Sequence, residues 1–422
     1  MKRLLVFGSL AVFGFCFSGL AFAETDTEIL LEKIYQAQED LKETTISWET
    51  REIIRSGKRK VKGKIQSVKT KEEVVVGREI ALRAWDPDSD KFYTVYLSTP
   101  YPTPKPFAFS VLTSGYEVEH VAGRAISKLN FKVWQDGKRL LVLAGKHFWI
   151  PPNLEKERSY SKLLVGAKEA IYTPYSEDFY SRYFVKEGVK FLVSEIERAK
   201  KDLRERGAMS RALPYKLLAD AMPTDYILNL GLNEQMDHEK FARDPRRAAD
   251  EIAIEYAIEL EDAFRWIASS ANARGAFQFT NRGRGRRLGT YDTVVNTYEE
   301  VELLEDFEDG TQNLQNMIKA AICLLDTELA KFPKEAHELF ERDYRVASYY
   351  TSAAYNGGWG KANQLYKWVK RNKKKLAADS FNMPLSAVGN RETHTYLQKQ
   401  AYLWSFIDEA KADIESKNQK ER

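Results

Sequence analysis

Residues 311–332 read TQNLQNMIKAAICLLDTELAKF, with Leu314, Met317, Ile318, Ala321, Ile322 and Leu325 recurring at helical spacing. Such a stripe makes an amphipathic α-helix whose apolar face must be covered by other elements. The pattern returns on either side. Residues 248–264 carry a broad apolar face (Ala249, Ile252, Ala253, Tyr256, Ala257, Leu260, Phe264), residues 186–206 form a charged helix, and further helices are predicted near 338–354 and 393–412. Before residue 152 the period changes. Val74 to Val76, Ile80 to Leu82, Phe92 to Leu97, Phe131 to Trp134 and Leu140 to Leu143 are β-branched, aliphatic or aromatic runs. Turn signals separate them at Asp86-Pro87-Asp88, Pro100 to Pro106 and Asp136-Gly137, which describes mostly antiparallel strands.

The expected architecture is therefore α+β and multidomain. A short amphipathic helix over 25–43 opens an N-terminal, mostly antiparallel β domain at 24–152. A connecting segment at 153–185, an all-helical domain at 186–415 and a charged tail at 416–422 follow. The first 23 residues read as an export signal: Lys2 and Arg3 are the positive start, Leu4 to Phe17 the apolar stretch, and Ala21-Phe22-Ala23 the cleavage site. A lipid-modified start at Cys16 is the alternative, but Phe15 stands where a small residue is needed. The expected location is the periplasm or cell envelope, with Cys323 the sole thiol after signal removal and no later membrane span.

Composition narrows the chemistry. The 422 residues hold 65 Lys+Arg against 61 Asp+Glu, so the +4 balance lacks the basic excess of a nucleic-acid binder. An apolar share of 43% supports packed cores. The five histidines are scattered without metal-ligand spacing, and neither a Walker loop nor a Gly-x-Ser-x-Gly elbow occurs. No metal or cofactor is expected. Cys323 lies on an apolar helix and reads as core.

Three stretches place polar groups at the ends of apolar helices. They are Glu261-Asp262-Ala263-Phe264 with Ser269 to Phe279 behind it, Ala353 to Gly358 (AAYNGG), and Glu392-Thr393-His394-Thr395-Tyr396. Together they resemble the lytic transglycosylases of glycoside hydrolase family 23, and most of all the membrane-bound lytic transglycosylase D type. That family has a goose-type lysozyme-like fold. Its pattern of Glu-Ser-x-Phe/Trp, Ser-x-x-x-Ala-x-Gly-x-x-Gln, Ala-Tyr-Asn-x-Gly and Glu-Thr-x-x-Tyr is met in order across roughly residues 245–405. Asp262 replaces the family's serine, and the interval from Glu261 to Gly275 is one residue short.

The resemblance implies cleavage of the β-1,4 bond between N-acetylmuramic acid and N-acetylglucosamine, with 1,6-anhydro-muramic acid ends. One glutamate acts as acid and then base. Glu261 is the expected acid because Phe264 then falls at the family's aromatic position, and Glu259 is the alternative. The expected substrate-binding residues are Ser269 (with Ser270 as fallback), Gln278, Phe279, Tyr355, Asn356, Glu392 and Tyr396. By residue type alone, Tyr355 and Tyr396 also suit a core, and Glu392 also suits a helix N-cap. Arg282, Arg284, Arg286 and Arg287 read as a solvated loop or as a basic lip for anionic wall polymer. Expected partners are peptidoglycan glycan strands and a cell-envelope protein contacting the β domain. The other reading is a catalytically degenerate glycan-binding or scaffold protein.

Overall fold

A computed structural model describes residues 24–61, 64–121, 129–269, 272–281, 288–372 and 383–420. The expected export signal with Cys16, the arginine run 282–287 and Ser270 lie outside the described residues. The chain is α+β: an antiparallel, nearly barrel-shaped sheet in its N-terminal half, then a helical region.

Helix α1 (Glu24–Lys42) turns Leu30, Ile34, Ala37 and Leu41 inward, and all four are fully buried. Seven strands follow: β1 (Trp48–Val61), β2 (Lys64–Asp86), β3 (Lys91–Pro100), β4 (Ser110–Val111), β5 (Tyr116–Val121), β6 (Asn130–Gln135) and β7 (Lys138–Trp149). They pair in the order β4-β3-β2-β7-β6-β5, and β1 lies along β2. Strand β7 is buried on both faces from Leu140 to Trp149. Leu140 and Val142 enter an inner core with Ile80, Leu82, Val95, Leu97, Phe131 and Val133. Leu141, Leu143 and Phe148 face α1 and the helical region instead. A strand sandwiched in this way reads as a continuous apolar run, as Leu140 to Leu143 does in the sequence.

The segment expected to connect the two halves contributes one strand to the sheet. After α2 (Tyr160–Gly166), β8 (Lys168–Tyr172) pairs antiparallel with β7. Tyr172 seals the inner core, its hydroxyl donating to the Leu129 carbonyl at 2.7 Å. Five residues with a single aromatic carry little periodic signal, and only the distant partner strand makes them β.

The helical region comprises α3 (Arg182–Glu205), α4 (Leu218–Ala221), α5 (Thr224–Gln235), α6 (His238–Arg243), α7 (Pro245–Glu259), α8 (Thr290–Thr297), α9 (Phe307–Thr311), α10 (Leu314–Ala330), α11 (Lys334–Arg342), α12 (Tyr344–Gly357), α13 (Trp359–Arg371) and α14 (Arg391–Lys420). Helix α10 is largely buried, with Met317, Ile318, Ala321, Ile322 and Leu325 at the centre and Cys323 fully enclosed. Among the described residues no helix is long and apolar enough to cross a membrane.

The sheet and the helices share one apolar core. Polar clamps reinforce the joint at the end of α7. Tyr35 of α1 donates to the Ala257 carbonyl at 2.6 Å, and Gln38 donates to the Ile258 carbonyl at 2.7 Å. Trp149 of β7 donates to the Trp266 carbonyl at 3.2 Å.

Helix α3 crosses α7 at Gly188, where an added Cβ would sit 1.7 Å from the Ala253 carbonyl oxygen. Backbone cannot swing aside as a side chain can, so Gly188→Ala must spread the two helices. We expect a loss of about 2–3 kcal/mol, read as a lower midpoint in denaturant unfolding with an unchanged slope.

Candidate active site

Helix α5 begins after Pro223, which cannot donate a backbone hydrogen bond and suits a helix start. Every side chain from Tyr226 to Asn233 is buried, so α5 runs through the middle of the helical region. It ends in Asn233-Glu234-Gln235, and these polar residues meet α14 and the loop 272–279.

Helix α14 holds the end of α5 at several points. Asn229 donates to the Gln400 carbonyl at 3.0 Å, and Asn233 donates to the Tyr396 carbonyl at 3.2 Å. The Lys399 ammonium, 2% exposed, donates to the carbonyls of Asn233 (2.9 Å) and Met236 (2.7 Å). Carbonyls at a helix C-terminus lack intrahelical partners and carry partial negative charge, so a cation there is favourable. Burial pushes the Lys399 ammonium below its ordinary pKa, against the raising pull of Glu234 and Asp237.

Between these contacts sits the Glu234 carboxyl. The Tyr396 hydroxyl donates to its Oε1. Burial raises the Glu234 pKa above the ordinary carboxylate range, while the Tyr396 bond and the Lys399 charge pull it back down. Desolvation wins, as it does wherever an anion loses more hydration than its partners replace. Asp326 is bonded more fully. It is fully buried, but it accepts bonds from the Ser210 hydroxyl (2.5 Å), the Arg211 amide (2.5 Å) and the Tyr298 hydroxyl (2.7 Å). That carboxylate is locked into the framework. Glu234 is held by one oxygen.

The loop from Ser269 to Phe279 closes over this end of α5. Gln235 donates to the carbonyls of Ala276 (2.8 Å) and Gly275 (3.2 Å), and Gln278 donates back to Gly275 at 2.9 Å. Gly275 has φ +69°, and a Cβ there would lie 2.3 Å from both Met317 Sδ and the Thr311 carbonyl oxygen, so both conformation and space demand glycine. Tyr355 of α12 donates to the Phe277 carbonyl at 2.5 Å. Its own pKa is raised, by burial first and by the Glu234 charge second, so α12 faces the same carboxyl.

Several expected residues thus converge: Gln278, Tyr355 and Tyr396 surround the end of α5. Asn356 lies in the last turn of α12 beside Tyr355, and its buried Oδ1 has no hydrogen-bond partner among the described residues. Ser269 spends its hydroxyl on the loop, accepting from the Ala273 amide at 3.0 Å. Phe279 is fully buried, edge-on to Tyr355 and Tyr291. Glu392 is exposed in the first turn of α14, and Asn390 caps that turn by accepting the Glu392 amide at 2.8 Å.

The structure does not bring Glu261 to this cluster. It is exposed on a short 3-10 turn after α7 and lines a separate hollow with Lys168, Arg198 and Arg265. Asp262 pairs with Arg265 at 2.6 Å, and Phe264 packs edge-on to Tyr256. The alternative, Glu259, is buried, but its carboxylate accepts the Thr173 amide and ties α7 to the sheet. Both belong to the junction between the halves.

The sequence reading did not name Glu234, whose carboxyl accepts from Tyr396. The available signal was an apolar segment opened by proline and ended by Asn-Glu-Gln. Helices α6 and α7 intervene between it and the Gly275 loop, so a count back from Gly275 over a short interval stops at α7.

A raised carboxyl pKa carries a stability consequence. As pH rises above the ordinary glutamate value, the unfolded chain loses this proton while the folded chain keeps it, and stability falls until the folded group also ionises. Glu234→Gln has no such loss. We expect the variant to gain stability over wild type across that window, by about 1–3 kcal/mol at its upper end, in urea unfolding at stepped pH. A difference that does not change with pH would deny the shift. Comparison of the chain with protein-family models, with curated proteins and with solved structures gave no match.

Proposed function

We propose that the protein is an exported murein lytic transglycosylase whose helical region is lysozyme-like, with Glu234 in the role first expected of Glu261. One observation carries this reading. A desolvated glutamate ends a buried helix and is held by the tyrosine of the Glu392-Thr393-x-x-Tyr396 stretch, beside the Gly275–Gln278 loop and the Tyr355-Asn356 pair.

The chemistry follows from the carboxyl's environment. Breaking a glycosidic bond requires a proton for the leaving oxygen, hence an acid still protonated near neutral pH, and burial supplies that. The Tyr396 bond occupies Oε1 and leaves Oε2 to carry the proton. Glu234 protonates the glycosidic oxygen as the anomeric bond breaks. The resulting carboxylate removes the proton from the 6-hydroxyl of the same muramic acid, and that oxygen bonds to the anomeric carbon. The acid recovers its proton, no water is consumed, and a 1,6-anhydro end remains. Intramolecular attack needs no second carboxylate to hold a water, unlike ordinary glycoside hydrolysis. Gln278 and the unpartnered Asn356 Oδ1 supply amide groups suited to the sugar's acetamido and hydroxyl groups.

Mass spectrometry of digested peptidoglycan tests the reading. Wild type is expected to release anhydro-muropeptides, Glu234→Gln to lose about 100- to 10,000-fold in rate, and Glu261→Gln to stay near wild type. Full activity in Glu234→Gln would remove Glu234 from the chemistry. Ends heavier by one water would make the enzyme a hydrolase, and no release by wild type would leave a glycan-binding protein.

A further inference from the structure

The long hairpin of β1 and β2 reaches beyond the sheet. Strand β3 pairs with β2 only from Gly77 onward, whereas β1 pairs with β2 from Arg78 outward to the Val61–Lys64 pair. At the neck, Val74 bridges to Ser159 and Val75 donates to the Arg158 carbonyl at 2.8 Å. From there the ribbon continues as two strands alone, about 35–40 Å at ~3.4 Å per residue. Two ion pairs join its strands above the neck, Lys71 with Glu52 and Arg55 with Glu72.

Charge is distributed unevenly along this ribbon. Between Glu52 and Glu72 the sequence is IIRSGKRKVKGKIQSVKTK, which holds eight cations and no acid. The whole chain is only +4, so the remainder is net negative. The +4 balance thus conceals a strongly basic arm on an acidic body. Arg55, Ser56, Lys69, Thr70 and Lys71 are exposed, and Ile54 among them is 65% exposed.

We propose that this ribbon docks the protein on an anionic lipid bilayer, its cations against the phosphates and headgroup charges. The residue types decide between anionic surfaces. Proteins that read single-stranded nucleic acid stack bases on aromatic side chains, and none occurs between Glu52 and Glu72. Cations interspersed with isoleucine and valine suit a charged interface with an apolar layer beneath it, where lysine stems and aliphatic groups both find contacts. The position suits it as well: a projecting arm touches a surface without burying the Glu234 cluster, which lies in the helical region.

The test is co-sedimentation of the purified full chain with vesicles of phosphatidylcholine, alone or mixed with phosphatidylglycerol. Binding is expected only to the mixed vesicles and is expected to weaken steeply with added salt. Changing Lys58, Arg59, Lys60 and Lys64 together to Gln is expected to lower the partition coefficient by about two to three orders of magnitude, at about 1 kcal/mol per cation. The companion variant, exchanging each of the four for the other cation, is expected to bind as wild type. It keeps the test decisive should the Gln variant fail to fold. Equal binding to neutral vesicles, no binding at all, undiminished binding by a folded Gln variant, or a preference for duplex DNA over the mixed vesicles would overturn the proposal.

Discussion

The hold of α14 on the last turn of α5 is the constraint on which the candidate site depends. A buried helix C-terminus presents carbonyls with no internal partner, and leaving them bare inside a protein is costly. Here Lys399 answers two of them, while Asn229 and Asn233 return the contact to α14 carbonyls. The same packing covers much of the adjacent Glu234 and brings Tyr396 against it. Framework and acidity therefore have one origin. The groups that fix the helix end also desolvate the carboxyl, and the Lys399 cation limits how far its pKa rises.

The arrangement gives buried carboxyls two different fates. Asp326 and Glu259 meet hydroxyl or amide donors and tie elements of the framework together. Glu234 receives one hydroxyl, and burial outweighs that bond and raises its pKa. A site whose acid must release and recover a proton needs that incomplete satisfaction, which lowers stability locally in exchange for chemistry. The proposed transglycosylase reaction uses it twice, once in each direction.

Much of the fold was legible because its elements carry strong local periods. The stripe along α10 and the face of α1 were read from spacing, and the apolar runs of β2, β3, β6 and β7 from residue type and the turn signals between them. The elements that escaped lack such a signal. Helix α5 is buried all round, so it shows no polar face to set its period. Strand β8 is defined by its pairing with β7. The sequence of the basic ribbon shows no clean alternation of apolar and polar residues, and its strand character rests on cross-strand pairing. The site was legible in its followers, Gln278, Tyr355 and Tyr396. Glu234, which we propose as the acid, stands further back in the chain, because helices α6 and α7 lengthen the interval that a motif count assumes to be short. Glu261 and Glu259 lay where that count ended, and there their surroundings make a joint between sheet and helices.

The central claim is that the Glu234 carboxyl holds its proton unusually tightly. Carbon-13 NMR of protein labelled at the glutamate side-chain carboxyls measures this directly, with Glu234→Gln identifying the resonance. The account predicts a titration midpoint well above the ordinary glutamate value of about 4.3. A midpoint at that ordinary value would contradict it, because the desolvation on which the site depends would then be absent.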